Sequence, residues 1–375
     1  MLEKAKKTFK TVIDFLTPTK LFLRRYARKH ADLYQRLMEE VDAPEHYKTD
    51  ERVKEDYFKS LSLYGFPVKY YKELGFYEIK DEVRRDSYVP PAKLLSMWFG
   101  VNSGPSRKLL DNKVACMETF SEYLERAWIY VPKVSFDEFT DFCKHYPKMI
   151  VKRGTGSGGK GIHVFEYTGQ DREEMEKIYR ENVENDSLIE EFIRQTGITH
   201  DLNPNSVNCV RICTMRFRDH VEIFQCFLKM GRGNVCVDNA GQGGVFAPID
   251  VNTGIITRDA YGPLWSEFPV HPVSGIKIKG IQIPYWNEVK DLVIKASEKV
   301  KDLVYVSWDV AVSEDGTLYL IEGNSCGDGM WLKEGGEWPV YKRAIKNHHK
   351  TVQYKLVYNY ILKCHTQELM SYMDL

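Results

Sequence analysis

The chain of 375 residues is notable first for what it lacks. It has no net charge, because 53 Lys and Arg balance 53 Asp and Glu, so no global field recruits nucleic acid. It has no apolar run of the ~18 residues that a membrane-crossing helix needs. Its start, MLEKAKKTFKTVIDFL, lacks the apolar core and small-residue cleavage site of a secretory signal. The eight cysteines form no C-x-x-C pair, which suits reduced thiols in a cytoplasmic protein. Cys209 and Cys213 alternate within an expected strand and read as buried small hydrophobes. No Ser-His-Asp or Cys-His arrangement supplies a nucleophile, and there is no internal repeat or low-complexity segment.

What is present begins with the stretch VKRGTGSGGKGIHVFEY, residues 151–167. Gly154, Gly159 and Lys160 fit the front of a phosphate-binding P-loop. That motif then requires Ser or Thr to ligate Mg²⁺, where Gly161 stands here. It also requires a helix, whereas Ile162 to Tyr167 is β-branched and aromatic and reads as a strand. With Met149-Ile150-Val151 also strand-like, the unit is a glycine-tipped hairpin. Such a tip, with Gly156, Ser157, Gly158 and Gly159, can lay backbone N–H groups over phosphates; the alternative is a flexible surface hairpin.

Residues 1–80 read as mostly helical. The first 36 are locally basic, which suits either a helix packed on the protein or, less economically, one lying on an anionic membrane. Pro90-Pro91 and Asn102-Ser103-Gly104-Pro105 mark a boundary. Beyond it the pattern predicts a helix over 111–126 and a strand at 128–131. Another helix over 136–145 opens on the capping box Ser-Phe-Asp-Glu. A charged helix is expected over 171–183 and a strand over 187–193. From 206 the character is β, with strands over 207–217, 221–230 and 245–249. A helix over 285–300, a final hairpin and a helix over 339–370 complete the chain. The organisation expected is a mostly helical region at 1–105, two further segments at 106–187 and 188–338, and a C-terminal helix at 339–375.

The hairpin LVYVSWDVAVSEDGTLYLIEGNS, residues 303–325, carries the most information. Asp315-Gly316 between alternating apolar runs is a strong two-residue turn signal. If Glu314 faces Thr317, then Asp309 faces Glu322, and Asn324 lies on the same face. Opposed carboxylates destabilise a strand pair unless neutralised. A hard divalent cation with oxygen ligands does this, and a few carboxylates plus phosphate oxygens is the usual Mg²⁺ arrangement. A solvated acidic edge fits poorly beside Val306, Trp308, Val310, Leu320 and Ile321.

In this order, the strand-borne Lys, the glycine hairpin, the E-E-x-I strand and the D…E-x-N hairpin resemble the ATP-grasp superfamily over residues 110–335. SVNCVRICTM, VDNAGQGGVFAPIDVNTG and VSWDVAV…LIEGNS resemble its branch associated with surface-polysaccharide gene clusters. The resemblance implies an α+β fold with two lobes gripping ATP, behind a mostly helical N-terminal region. It places Lys113 and Lys152 on the nucleotide phosphates and the glycine flap over them. Glu190, Glu191, Phe192 and Ile193 become the adenine hinge, with Glu190 ahead of Glu191 as the side chain that meets the base. Asp309, Glu322 and Asn324 would hold two Mg²⁺ (Mn²⁺ substituting), and Arg211 would face the transferring phosphoryl group. Duller alternatives stand beside these: surface lysines, a structural carboxylate partner for Arg211, and a mere turn for Asp238-Asn239 and Gln242. The activity implied is an ATP-dependent carboxylate–amine ligase using small-molecule substrates, such as a sugar acid bound for a capsule. A hydroxyl kinase or a non-catalytic ATP-binding partner of a glycosylation complex would share the nucleotide residues.

Overall fold

The computed structural model describes residues 34, 38–39, 43–64, 68–89, 101–102, 104–154, 161–234, 236–239, 242–262, 266–325 and 338–347. The chain divides into two compact units, residues 1–101 with 329–375, and residues 102–328. The basic segment and the residues Gly156, Ser157, Gly158 and Gly159 lie outside the described residues, as does the part of the expected C-terminal helix beyond Asn347. Among the described residues no helix is long and apolar enough to cross a membrane.

The first unit contains α1 (Glu45–Thr49), α2 (Glu51–Tyr64), α3 (Val68–Glu73), α4 (Glu82–Ser87) and the C-terminal helix Trp338–Asn347, which packs on α4. Its core is aromatic: Tyr34, Tyr47, Tyr57, Tyr71, Phe76 and Tyr88 are buried together with Met38 and Val53. Buried phenols need acceptors, and Tyr34 donates to Tyr47 O at 2.6 Å while Tyr71 donates to Asp56 at 2.7 Å. Arg85 binds both oxygens of Asp56 at 2.9 and 2.8 Å. Its other donors reach Ile79 O at 2.6 Å and Phe76 O at 2.7 Å.

The second unit is an α+β assembly of two sheets. Ahead of them, a helix α5 (Gly104–Asp111) occupies part of the stretch expected as a boundary, and the helix expected over 111–126 is the shorter α6 (Lys113–Thr119), followed by a 3₁₀ turn at Ser121–Tyr123. Asn112, whose side chain accepts from Ala115 N at 3.0 Å, starts α6. The first sheet has the order β1-β4-β2-β3 and is antiparallel throughout: β1 (Trp128–Tyr130), β2 (Lys148–Arg153), β3 (His163–Glu166) and β4 (Ser187–Glu191). α7 (Phe136–His145) opens on the full Ser135/Glu138 capping box, and α8 (Arg172–Glu184) is capped by Asp171. Phe139, Cys143 and Met175 from these helices meet Met149, Val151 and Ile189 of the sheet in one core. Because β3 pairs with β2, Val151 opposite His163, a strand and not a helix follows the glycines. P-loop geometry is thereby excluded.

After the short helix α9 (Ile198–Leu202), the second sheet runs β11-β10-β5-β6-β7-β8-β9, again antiparallel. Its strands are β5 (Cys209–Arg216), β6 (Val221–Met230), β7 (Val245–Pro248), β8 (Ala260–Tyr261), β9 (Glu267–Phe268), β10 (Tyr305–Val312) and β11 (Leu318–Asn324). α10 (Trp286–Lys299) packs against one face, where Val289, Val293 and Ala296 meet Val210, Ile212, Leu228, Val306, Trp308 and Val310. Residues of opposite parity on these strands, Arg211, Lys229 and Asp309 among them, form the other face.

The β10–β11 hairpin corrects one expectation while keeping its result. The turn is not two residues long: Ser313 N donates to Thr317 O at 3.0 Å, so three residues, Glu314 to Gly316, lie between. Gly316 takes φ +91°, a value L side chains rarely adopt. This moves the register by one at the tip, with Val310 opposite Leu320. A β-bulge at Ile321 then inserts one residue and moves it back, so that Asp309 faces Glu322 and Ser307 faces Asn324. The bulge also reverses face. Leu318 and Leu320 point into the core, and Glu322 and Asn324 point away from it. Gly323, opposite Trp308, leaves room for the indole; a Cβ there would sit 2.7 Å from the ring.

Candidate active site

The site is built on three neighbouring strands of the second sheet. Arg211 on β5 lies directly across from Asp309 on β10 and binds it with two parallel hydrogen bonds, Nε to Oδ1 and Nη2 to Oδ2, each 2.7 Å. Lys229 on β6 donates to Asp309 Oδ2 at 3.0 Å and to Asp238 Oδ1 at 3.0 Å. Asp238 Oδ2 in turn accepts from Cys209 N at 3.0 Å. All four charged groups are buried. Burial works to raise the Asp309 carboxyl, and the Arg211 and Lys229 cations overcome it and hold it below the usual range. Burial likewise works to discharge Lys229, yet Asp238 and Asp309 hold its ammonium protonated above its ordinary range.

Two cations and two carboxylates cancel. Among the described residues Glu322, opposite Asp309, is therefore a surplus negative charge, with its Oε1 accepting from Asn324 Nδ2 at 3.1 Å. Among the described residues no group of three or more His, Cys, Asp or Glu side chains is arranged to hold a metal ion. Two carboxylates and one amide do suit a cation that takes its other ligands from phosphate or water. Asp309 Oδ1 accepts one hydrogen bond and keeps a second lone pair, and Asn324 brings a further hard oxygen. The residues fit Mg²⁺ in donor type and in surplus charge.

The second part of the site lies on the first sheet. Glu190 on β4 is enclosed by Lys152 on β2, Nζ to Oε1 at 2.7 Å, and by Arg126, Nε to Oε2 at 2.6 Å. Burial pushes the Glu190 carboxyl up, but Arg126 and Lys152 prevail and hold it down at about 2. Arg126 goes on to donate to Leu124 O at 3.2 Å, Leu320 O at 2.7 Å and Ile321 O at 3.1 Å. Glu191 turns the other way, with Oε2 accepting from Ala127 N at 3.2 Å. β4 ends at Glu191, short of the expected Ile193, with Phe192 N still donating to Lys148 O at 3.1 Å in the register of the ladder. Lys148 Nζ sits 4.4 Å from the centre of the Phe192 ring, and Ile193 is buried. Lys113 opens α6, and its N–H donates to Gly154 O at 3.1 Å, which sets the helix start beside the root of the glycine hairpin. Gly154 N donates to Asp186 O at 2.8 Å, and Tyr130 donates to the Asp186 carboxylate.

Thus the structure joins Asp309 with Arg211, Glu322 with Asn324, and Lys152 with Glu190. Arg211 has the carboxylate partner weighed as its duller alternative, and the Glu190 side chain is engaged by two cations rather than presented alone. Asn239 shapes a turn, its carbonyl accepting from Gln242 N and Gly244 N. Asp238 does more, because its side chain holds Lys229. Sequence reasoning passed over Lys229 and Arg126. For Lys229 a signal existed, a cation between Leu228 and Met230 in an apolar strand. Arg126 carries no local signal, since its partners lie up to 195 residues away.

Among solved structures, the chain is similar to the ATP-grasp ligase PsnB complexed with minimal precursor, Mg and ADP. The identity is 11% and the TM-score 0.40, over 66% of this chain and 62% of that one. It is also similar to N5-carboxyaminoimidazole synthetase from Staphylococcus aureus complexed with ADP, at 12% identity and TM-score 0.39, over 64% and 52% of the two chains. The chain thus spans about three fifths of the length of PsnB and about half that of the synthetase. No curated protein matches it. The model of the sugar-transfer associated ATP-grasp family matches residues 99–337, the whole of both sheets and well over half of the sequence. A glycine hairpin between strands, a half-buried lysine on its first strand and a carboxylate hairpin at the end of a second sheet are thus features of a chain that belongs to the sugar-transfer associated ATP-grasp family.

Proposed function

We propose that the protein is an ATP-dependent carboxylate–amine ligase. The observation that carries this reading is the carboxylate Glu322, placed across from Asp309 beside two buried cations. Phosphoryl transfer asks for positioning and charge compensation and for little covalent chemistry from the protein. In this reading Lys113, Lys152 and the glycine hairpin hold the ATP phosphates, and Glu190 to Ile193 flank the adenine. Asp309, Glu322 and Asn324 hold Mg²⁺, which when bound offsets phosphate charge. Arg211 faces the developing negative charge. A substrate carboxylate oxygen attacks the γ-phosphorus, and the bond to the β-phosphate oxygen breaks to release ADP. The amine nitrogen then attacks the acyl carbon, phosphate leaves, and the amine gives up a proton. The acid is a small molecule, such as a sugar acid or amino acid destined for a surface polysaccharide or carried on a sugar nucleotide, in a cytoplasmic reaction. A screen of carboxylates against amines for ADP release tests this. Free phosphate together with an amide supports ligation, and a phosphorylated hydroxyl acceptor replaces it with kinase chemistry.

A further inference from the structure

We infer that Arg126 is a positioning residue that ties the strand carrying Glu190 to the hairpin carrying Glu322, and keeps Glu190 charge-paired when Lys152 turns from it to a nucleotide phosphate. This rests on the nucleotide site proposed above and adds to it a link between its two halves.

The argument starts from donors. A guanidinium has five N–H groups in a rigid fork. Arg126 spends one on Glu190 of the first sheet and two on the carbonyls of Leu320 and Ile321 in the second. A fourth goes to Leu124 O. Ile321 is the bulged residue, which a regular ladder leaves unpaired; Arg126 supplies a donor to its carbonyl. The next residue is Glu322. Whatever fixes the bulge therefore fixes where that carboxylate points, and one side chain also touches the nucleotide strand.

Charge points the same way. Glu190 has one negative charge and two cationic partners, so one cation is in excess. The Arg126 side chain is 1% exposed, whereas that of Lys152 is 13% exposed. Lys152 also lies two residues before Gly154, at the root of the glycine hairpin. Lys152 is thus the partner free to leave. A carboxylate stripped of every partner in this setting would carry a desolvation penalty of several kcal/mol; Arg126 removes that penalty in advance.

Calorimetric titration of ADP into the full chain, with and without Mg²⁺, tests the link without any acceptor substrate. The variants are Arg126→Met, Arg126→Lys and the double variant Arg126→Met/Glu190→Gln. Wild type is expected to bind ADP and to bind it more tightly with Mg²⁺. Arg126→Met is expected to bind about tenfold more weakly and to lose most of the Mg²⁺ effect. Arg126→Lys keeps a cation for Glu190 but has no fork for the bulge carbonyls. It should regain Mg²⁺-free ADP binding and not the tightening. A merely structural role would lower both affinities together. If Arg126→Met does not fold, the double variant, which removes the unpaired carboxylate as well, and Arg126→Lys carry the test. Undiminished Mg²⁺ tightening in Arg126→Lys, or in whichever Met variant folds, overturns the inference and leaves the nucleotide site standing. Wild type that binds no ADP overturns the nucleotide site and the inference with it.

Discussion

Each unit of this protein buries an arginine bound through two hydrogen bonds to an aspartate, and the two pairs end differently. In the helical unit, Arg85 and Asp56 are completed by groups that belong to the fold: the carbonyls of Phe76 and Ile79 and the hydroxyl of Tyr71. Charge balances and donors match acceptors. In the sheet unit, Arg211 and Asp309 are joined by a second cation, a second aspartate and an opposing glutamate. Burying four charges, with a fifth half-buried beside them, is far more costly than burying one arginine against a half-buried aspartate, and packing alone gives no reason for it. A buried pair closed off by backbone suits a structural role. One left with surplus charge and an unshared lone pair is suited to a ligand.

Four measurements can break or sharpen this contrast. The largest effect is expected from Glu322→Gln, which removes the surplus charge and almost no volume. ADP production should fall by ~10³ or more with the melting temperature unchanged; near-normal turnover at low millimolar Mg²⁺ would end the cation assignment. Next, Arg85→Met leaves Asp56 with a phenol alone and should cost about 3–5 kcal/mol of stability. Arg211→Met leaves Asp309 its Lys229 contact, so its loss of stability in scanning calorimetry should be clearly smaller and its loss of activity larger. Equal stability losses would erase the distinction.

The third measurement carries the comparison to two lysines. Lys152 is held in β2 against Glu190, whereas Lys160 stands among glycines in the sequence and must be ordered before it contributes. Lys152→Ala should cost ~10²–10³ in rate and Lys160→Ala about 10-fold; the reverse order would move the phosphate clamp from the strand to the glycine-rich segment. The smallest effect concerns His271, a buried polar group completed entirely by backbone. Its Nε2 meets Gly231 O at 2.9 Å, and its Nδ1 accepts from Val273 N at 3.4 Å, which fixes the neutral ring. Burial holds its pKa below the ordinary 6.5, against a weaker pull upward from the Gly231 carbonyl. A depressed folded value means that the unfolded chain takes up the proton first. The stabilisation is complete above pH 6.5 and is lost as pH falls toward the folded value. Melting temperatures between pH 7 and 5 should decline less in His271→Gln than in wild type.

What could be read from the chain in advance was what neighbouring residues decide among themselves. The capping box at Ser135, the charged helix after Asp171 and the long strands β5 and β6 are local patterns, and they appear close to where the patterns place them. The helix start at Asn112 was local too, whereas the helix Gly104–Asp111 just ahead of it was hidden because Gly104-Pro105 reads as a boundary. The facing of Asp309 and Glu322 emerged from a turn placed one residue wrong and a bulge that restored the count. Arg126 was out of reach, since its role depends on a carboxylate 64 residues away and carbonyls about 195 residues away. Periodicity reports which face a residue takes and is silent on which strand will lie beside it.

The bulge has a final consequence. In a strand, removing one residue ordinarily exchanges inside for outside for everything beyond it. Ile321 is the exception, because it is the spare residue of β11. Without it the alternation would run unbroken from Leu318 to Asn324, and Glu322 would still face Asp309. With it kept and the bulge ironed flat, Glu322 would turn onto Trp308 and into the core. A shortened chain lacking Ile321 would therefore keep its carboxylates in place while giving up one of the carbonyls that Arg126 grips. Few strands offer a residue that can be excised to cut a connection between two sheets while every other side chain keeps its side.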